Sequence, residues 1–437
     1  MGRARRGEIS RSAHAQWKVG AAKRDPIAIL EESSKGRVKG LVPIRYGRMV
    51  KSPFTFLRGS AAVMAYDLST TPVTGFRAQL CGDCHLSNFG LFATPERHLV
   101  FDVNDFDETL PGPWEWDVKR LATSFVVAAR DRNFTEAQAR EFAVQVAGAY
   151  RNHIRECAGM APIDVWYQRM EWQTVIEAAQ SPAERKEAEN MAAAARKRVI
   201  EHLFPKITKM EGGHFRLQDQ PPVLFHVPDG DMSQPVRSGL EEYRLTLPDD
   251  RRVLFDRYRL VDFAEKVVGI GSVGTRCYIL LLMSIDNDPL ILQVKEARHS
   301  VLEPYTRKSQ YENQGQRVVM GQRLMQSSSD IFLGWVRGKH GIDFYVRQLR
   351  DMKFSAPLER GTREQFKHYA NLCGWTLARA HAKSGDAAAI SGYLGKSDRF
   401  DLAIGRFASA YADQTERDHA ALVKAIRSGR IESLQES

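Results

Sequence analysis

Apolar residues recur along this chain in two rhythms, one helical and one strand-like, and the changes between them divide it. The string Asp25-Pro-Ile-Ala-Ile-Leu starts a helix, with Asp25 as N-cap and Pro26 in the first turn. Leu41 to Tyr66 mixes basic, aromatic and apolar residues and predicts short helices and loops. Arg77 to Cys81 reads as a short strand. Phe89-Gly-Leu-Phe and His98-Leu-Val-Phe, separated by Thr94-Pro-Glu-Arg, read as a hairpin. After Pro111-Gly-Pro the spacing of Leu121, Phe125, Val126 and Ala129 is helical, and helix continues to about residue 204. Gly212-Gly213, Pro221-Pro222 and Pro228-Asp-Gly mark a linker over 205–240. Phe263 to Ala297 predicts three strands, with a turn at Asn287-Asp-Pro. Helix follows from about Glu312 to Met325, then a strand pair at Ile331–Trp335 and Phe344–Arg350. From Thr362 the pattern is helical again.

The fold class expected is therefore α+β. The divisions are a mobile basic N-terminus (1–24), a helical large lobe (25–240), a small antiparallel β-rich lobe (241–350) and a helical C-terminal part completing the large lobe (351–437). With 437 residues and 43% hydrophobic composition, the chain can bury cores in two lobes. A net charge of +10 favours an anionic partner without choosing one. No apolar run is long enough for a membrane span, and no signal-peptide core follows the N-terminal arginines. Five irregularly spaced cysteines read as reduced thiols, so the expected location is the cytoplasm.

Two clusters carry chemistry. In Cys81-Gly-Asp-Cys-His-Leu-Ser-Asn88, Asp83 is placed to orient or deprotonate an attacking hydroxyl, and Asn88 lies five residues on. Phe101-Asp-Val-Asn-Asp-Phe-Asp107 then offers Asp102, Asp105 and Asp107. Six carboxylates between Asp83 and Glu108 would repel one another without a cation, which points to Mg²⁺. Asp105 is favoured as principal metal ligand with Asn88, while Asp102 and Asp107 stand in reserve. His85 is expected to brace the loop, and Asp117 to brace its backbone or cap a helix. The C-x-x-C-H string also fits covalent haem attachment, which requires export, and a zinc site lacks a second ligand pair.

The second cluster is Gly269-Ile-Gly-Ser-Val-Gly274, followed by a strand ending in Val294-Lys295. The glycines lie between strands, unlike a dinucleotide site, where a helix follows. Gly269, Gly271, Ser272 and Gly274 would cradle phosphates, and Lys295 would reach their oxygens. Glu303 and Glu312 are candidates to anchor that lysine, with Glu312 preferred.

The first cluster resembles the Gly-Asp-x-His-x-x-Asn loop of aminoglycoside and choline phosphotransferase-like enzymes, and the second resembles the glycine hairpin and lysine strand of protein kinases. The order is inverted, so the resemblance implies a two-lobed kinase-like fold, circularly permuted. Phe366 to Ser384 then resembles the helix that precedes the catalytic loop. Leu41-Val-Pro-Ile-Arg-Tyr-Gly-Arg-Met, Tyr345-Val-Arg-Gln-Leu-Arg and Gly321-Gln-Arg-Leu-Met-Gln resemble a bacterial family known as domain of unknown function 2252. What these resemblances imply is an ATP- and Mg²⁺-dependent phosphotransferase acting on a hydroxyl-bearing acceptor. An AMP-transferase on the same groups and a silent nucleotide-binding scaffold are the alternatives. Nucleic-acid binding through Arg45, Arg48 and Lys51, beside Tyr46, Phe54 and Phe56, is a further reading and not the favoured one.

Overall fold

A computed structural model describes residues 1–17, 24–226, 233–267, 269–349, 351–355 and 361–434. It is α+β. A six-stranded antiparallel sheet runs in the spatial order Gly334–Arg337, Asp343–Gln348, Pro289–Glu296, Cys277–Ser284, Tyr258–Lys266, Leu224–Phe225. Its central strand Cys277–Ser284 is apolar without interruption because both faces are covered. Leu280 and Leu282 pack into one cluster with Tyr243 and Phe344, and Ile279, Leu281 and Met283 pack into another with Leu203 and Leu217. The helix Gln314–Met325 joins the sheet's fourth strand in sequence, Pro289–Glu296, to its outer pair.

The helical part is built around Trp114–Asp131, whose residues from Trp114 through Ala129 are all buried. Against it lie Glu136–Cys157, Arg363–Ala382 and Arg399–Arg427. Capping boxes start two of these: Thr135 exchanges hydrogen bonds with Gln138, and Thr362 with Gln365. Gly374 lets the helices meet closely, since a Cβ there would sit 2.4 Å from the Val146 carbonyl oxygen. The hairpin Phe89–Ala93 and Leu99–Val103 packs against Arg363–Ala382, and its second strand pairs with Met170–Glu171.

Most predicted elements are present, including the Asp25 cap, whose Oδ1 accepts from the Ile27 and Ala28 amides. Two expectations need correction. The segment 205–240 is not a simple linker: the helix Ile200–Ile207 runs through Pro205, and a hairpin pairs Thr208–Glu211 with His214–Leu217. Gly212 and Gly213, both at positive φ, form its two-residue turn, so the glycines signalled a hairpin rather than a boundary. Residues 1–17 are docked rather than loose. Arg6 Nε donates to the Tyr393 carbonyl at 2.8 Å, and the buried His14 ring lies 2.8 Å from the Tyr393 hydroxyl. The remainder of the expected N-terminus at 18–23, part of the linker at 227–232 and the strand end at Arg350 lie outside the described residues.

Gly374→Val is expected to force the two helices apart and lower stability by about 1–3 kcal/mol. A lower urea midpoint with an unchanged m-value is the outcome to look for; an unaltered midpoint would show that the contact is not tight.

Candidate functional site

The strand Arg77–Leu80 delivers the first cluster, and one carboxylate fixes how it turns. Asp117, in the first turn of the Trp114–Asp131 helix, accepts the Cys81 amide at 2.8 Å and the Gly82 amide at 3.1 Å. It braces the loop and is not the cap of its helix, where Pro113 sits. Gly82 adopts φ +83°, and a Cβ there would meet the Glu108 carbonyl at 2.3 Å, so only glycine fits. Asp83 consequently points into a cavity of about 220 Å³. Arg120, one turn beyond Asp117, holds Asp83 Oδ1 through its Nε at 2.7 Å and through Nη2. Burial pushes the Asp83 carboxyl above the usual carboxylate range, Arg120 opposes that, and neighbouring Asp105 adds to it.

Asn88 donates its amide to the Asp83 carbonyl at 2.7 Å, which leaves its side-chain oxygen without a partner among the described residues. Asp105 accepts the Asp107 amide at 3.2 Å and forms no ion pair among the described residues. Both line the cavity with Asp83. Two uncommitted side-chain oxygens beside a phosphate-sized space suit Mg²⁺, which takes one or two carboxylates and keeps water and phosphate as its other ligands.

The glycine loop closes the opposite side. Gly269 and Gly274 have φ of +68° and +85°, and Gly269, Gly271 and Ser272 line the same cavity. The strand register puts Cys277 opposite Lys295 and Lys295 opposite Tyr345; the lysine is buried behind the cavity lining, which includes Asp107 and Ser272 but not Lys295 itself. The two clusters meet at Asp107. Lys295 Nζ pairs with Asp107 Oδ2, Ser272 Oγ donates to the same oxygen at 3.0 Å, and the Tyr345 hydroxyl donates to Oδ1 at 2.8 Å. Burial would raise the Asp107 carboxyl, but Lys295 and Tyr345 outweigh it and hold it at about 2. Burial likewise disfavours the Lys295 ammonium, and Asp107 more than restores it, so its pKa lies above the ordinary lysine value.

Three sequence-predicted roles change. Asp102 lies apart from the cavity: fully buried, it accepts Arg379 Nη2 at 2.5 Å and the Ser327 amide and hydroxyl, each at 2.8 Å. Its oxygens are already committed to holding the hairpin on the helical part. Glu312 is exposed, just before the Asn313 helix cap, and does not reach Lys295. The helix instead contributes Arg317, buried, whose guanidinium grips the carbonyls of Asp107 at 2.8 Å and Thr109 at 2.7 Å. His85 walls the cavity but lies 3.9 Å from Asp83, beyond hydrogen-bond reach, and its Nδ1 is unpartnered. Burial, then Arg58 and Arg120, keep that imidazole neutral.

Cys81, Cys84 and Asp117 place ligand atoms within 4.8 Å of one another. Asp117 is spent on two amides, and burial pushes both thiols up, Cys84 to about 11, so these cysteines pack rather than ligate. The suggested nucleic-acid patch is divided: Tyr46 and Phe56 are core residues and Arg45 lines the cavity, while Lys51 is exposed and Arg48, half-exposed, bonds the Gly269 carbonyl. Arg120, Tyr345 and Arg317 escaped the sequence reading, although Tyr345 stands in register with Lys295.

A family model described as "Uncharacterized protein conserved in bacteria (DUF2252)" matches residues 37–425. The chain belongs to the DUF2252 family. No curated protein and no solved structure matches it. Every residue assigned above to the cavity, from Arg45 to Ser272, falls within the DUF2252 match. Among the described residues of this DUF2252 chain, no helix is long and apolar enough to cross a membrane.

Because Asp107 is held below the unfolded value of about 3.9, its contribution is complete above that pH and is lost as pH falls towards 2. Asp107→Asn should lower neutral-pH stability by about 1–3 kcal/mol, with the gap to wild type closing between about pH 4 and pH 2. Urea midpoints across that range test this, and a gap independent of pH would contradict the assignment.

Proposed function

We propose that the cavity is the site of an ATP- and Mg²⁺-dependent transferase acting on a hydroxyl-bearing acceptor, within a permuted kinase-like fold. One observation carries the reading. Segments 188 residues apart in the chain, each resembling half of a phosphotransferase site, are joined through Lys295 and Asp107 around a single cavity. The inverted order has a structural counterpart. The helix Arg363–Ala382 ends beside the strand that enters the Asp83 loop, where the Gln79 amide donates to Ser384 Oγ at 2.8 Å. A helix before the loop in space, though after it in sequence, supports permutation.

Bound Mg²⁺ would neutralise phosphate charge between Asn88 and Asp105. Arg120 occupies one Asp83 oxygen and turns the other towards the cavity, where it can take the proton of an acceptor hydroxyl. A carboxyl raised by burial is the better base near neutral pH. The glycine loop lays backbone amides over the phosphates, and Lys295, positioned by Asp107 and Tyr345, contacts them from below.

The AMP-transfer variant gains from one feature. On the other side of Lys295 the space is narrower, a cavity of about 60 Å³ lined by Asn104, Arg347 and half-buried Lys353: Arg347 Nε donates to Gln293 at 3.1 Å, Lys353 donates to the Asn104 carbonyl at 3.1 Å, and Phe354 pairs with Leu91. A nucleotide therefore has its room on the side of the acidic loop and the arginines, which suits a reversed orientation.

Saturating Mg·ATP should stabilise the wild type by roughly 2–4 kcal/mol at about 100–1,000 times its dissociation constant. Asp105→Ala and Lys295→Ala should lose that shift. No shift in the wild type removes the nucleotide reading. Label transfer from the γ- or α-phosphate distinguishes kinase from AMP-transferase, and silence in both with binding retained indicates a scaffold. Asp83→Asn should keep the Mg·ATP shift while slowing transfer by about 10²–10⁴-fold. The wild-type rate should climb with pH through a pKa above the ordinary carboxylate value; unimpaired transfer in Asp83→Asn would remove it as base.

A further inference from the structure

Lining the same cavity as the acidic loop is a set of arginines that form no ion pair with a carboxylate among the described residues. Arg37 Nη1 donates to the Val273 carbonyl at 2.7 Å and its Nε to the Ser33 carbonyl at 3.3 Å. Arg298 Nη1 donates to the Ser33 carbonyl at 3.0 Å, and its Nη2 to that of Lys35. Arg45, buried, donates to Ser34 Oγ at 2.9 Å and to the Gly59 carbonyl at 2.7 Å, while its Nε is buried with no acceptor. Each hydrogen-bond partner is a neutral oxygen.

The acids that share this cavity wall are committed elsewhere. Glu296 takes the Arg276 amide at 2.9 Å and its guanidinium at 3.1 Å, and Glu108 takes the Val301 amide at 2.7 Å. Burial, then the charges of Arg45 and Arg298, push the Arg37 guanidinium well below its usual range. Arg45 is brought down to about 10, chiefly by burial and further by Arg298, although Tyr46 and Glu108 act against them.

Clamping carbonyls explains each arginine alone. It does not explain three guanidiniums converging on one cavity, because like charges there repel, and the buried one, Arg45, is costly unless an anion joins it. Guanidinium forks match phosphate oxygens in geometry and charge. Arg37 also holds the glycine loop through Val273, so the wall and the loop form one surface.

We propose that Arg37, Arg45 and Arg298 form a phosphate-binding wall, receiving either the polyphosphate of the nucleotide or a phosphate group carried by the acceptor. This deepens the transferase reading and rests on it only for the identity of the molecule that brings the phosphate.

Titration calorimetry with inorganic tripolyphosphate, without Mg²⁺, tests the wall directly on the full chain. The wild type should bind, and Arg45→Met and Arg298→Met should each weaken binding by about tenfold or more. Circular dichroism establishes that each variant is folded; should Arg45→Met not fold, Arg298→Met decides. No binding to the folded wild type, or equal affinity in a folded variant, overturns the proposal. A second titration with Mg·ATP assigns the source. Parallel loss in the variants places the nucleotide's phosphates on the wall, and unchanged Mg·ATP affinity assigns it to a phosphorylated acceptor. If Mg·ATP fails to bind the wild type while tripolyphosphate binding still depends on Arg298, the transferase reading falls and the wall stands.

Discussion

One carboxylate holds the cavity in shape. Asp107 receives Lys295 and Ser272 on one oxygen and Tyr345 on the other, so a residue of the acidic loop collects three donors from the sheet and its glycine loop. Lys295 is buried, and an ammonium there is tolerable only because Asp107 faces it. The attachment of sheet to acidic loop is thus directional at this point, set by charge-assisted hydrogen bonds rather than by apolar contact alone. Arg317 reinforces it from the other side by gripping the backbone of the same loop.

The helix Trp114–Asp131 supplies the second constraint. A helix buried all round is normally apolar all round, yet this one hides Glu115, Asp117, Lys119, Arg120 and Ser124. Each has a task. Glu115 accepts the Thr74 amide at 2.7 Å, Lys119 bonds Thr71 at 2.8 Å, and Ser124 receives the Leu86 amide at 2.9 Å. Asp117 and Arg120 act on the loop backbone and on the Asp83 side chain. One rigid element therefore sets both where Asp83 sits and which of its oxygens is free.

Much of this was legible in the sequence, and the rest was hidden for identifiable reasons. Strand runs in the sheet declared themselves by continuous apolar character, and Asp83, Asn88 and Lys295 by their spacing. The choice between Asp102 and Asp105 depended on where the hairpin strand ends: Asp102 lies within Leu99–Val103, every residue of which is buried, and Asp105 just beyond it, half-buried. Spacing does not reveal that Arg379, near the other end of the chain, claims Asp102. Glu312 carried the right charge two positions before its helix begins, where it is exposed. Arg120, Tyr345 and Arg317 are recognisable only after register and helix packing are known. The arginine wall was visible as basic composition and became chemistry only when Ser33 to Gly59 folded over the glycine loop.

The pairing of Asp102 with Arg379 also sets an order on the making of the protein. During synthesis from the N-terminus, the hairpin leaves the ribosome long before the helix that completes it. Until Arg379 arrives, 277 residues later, the carboxylate of Asp102 lacks its guanidinium, and the loop carbonyls of Leu86 and Phe89 lack the Tyr369 hydroxyl. The nascent chain must therefore keep its acidic loop hydrated until that helix is available. The Asp83 pocket is translated well before the segment that closes it.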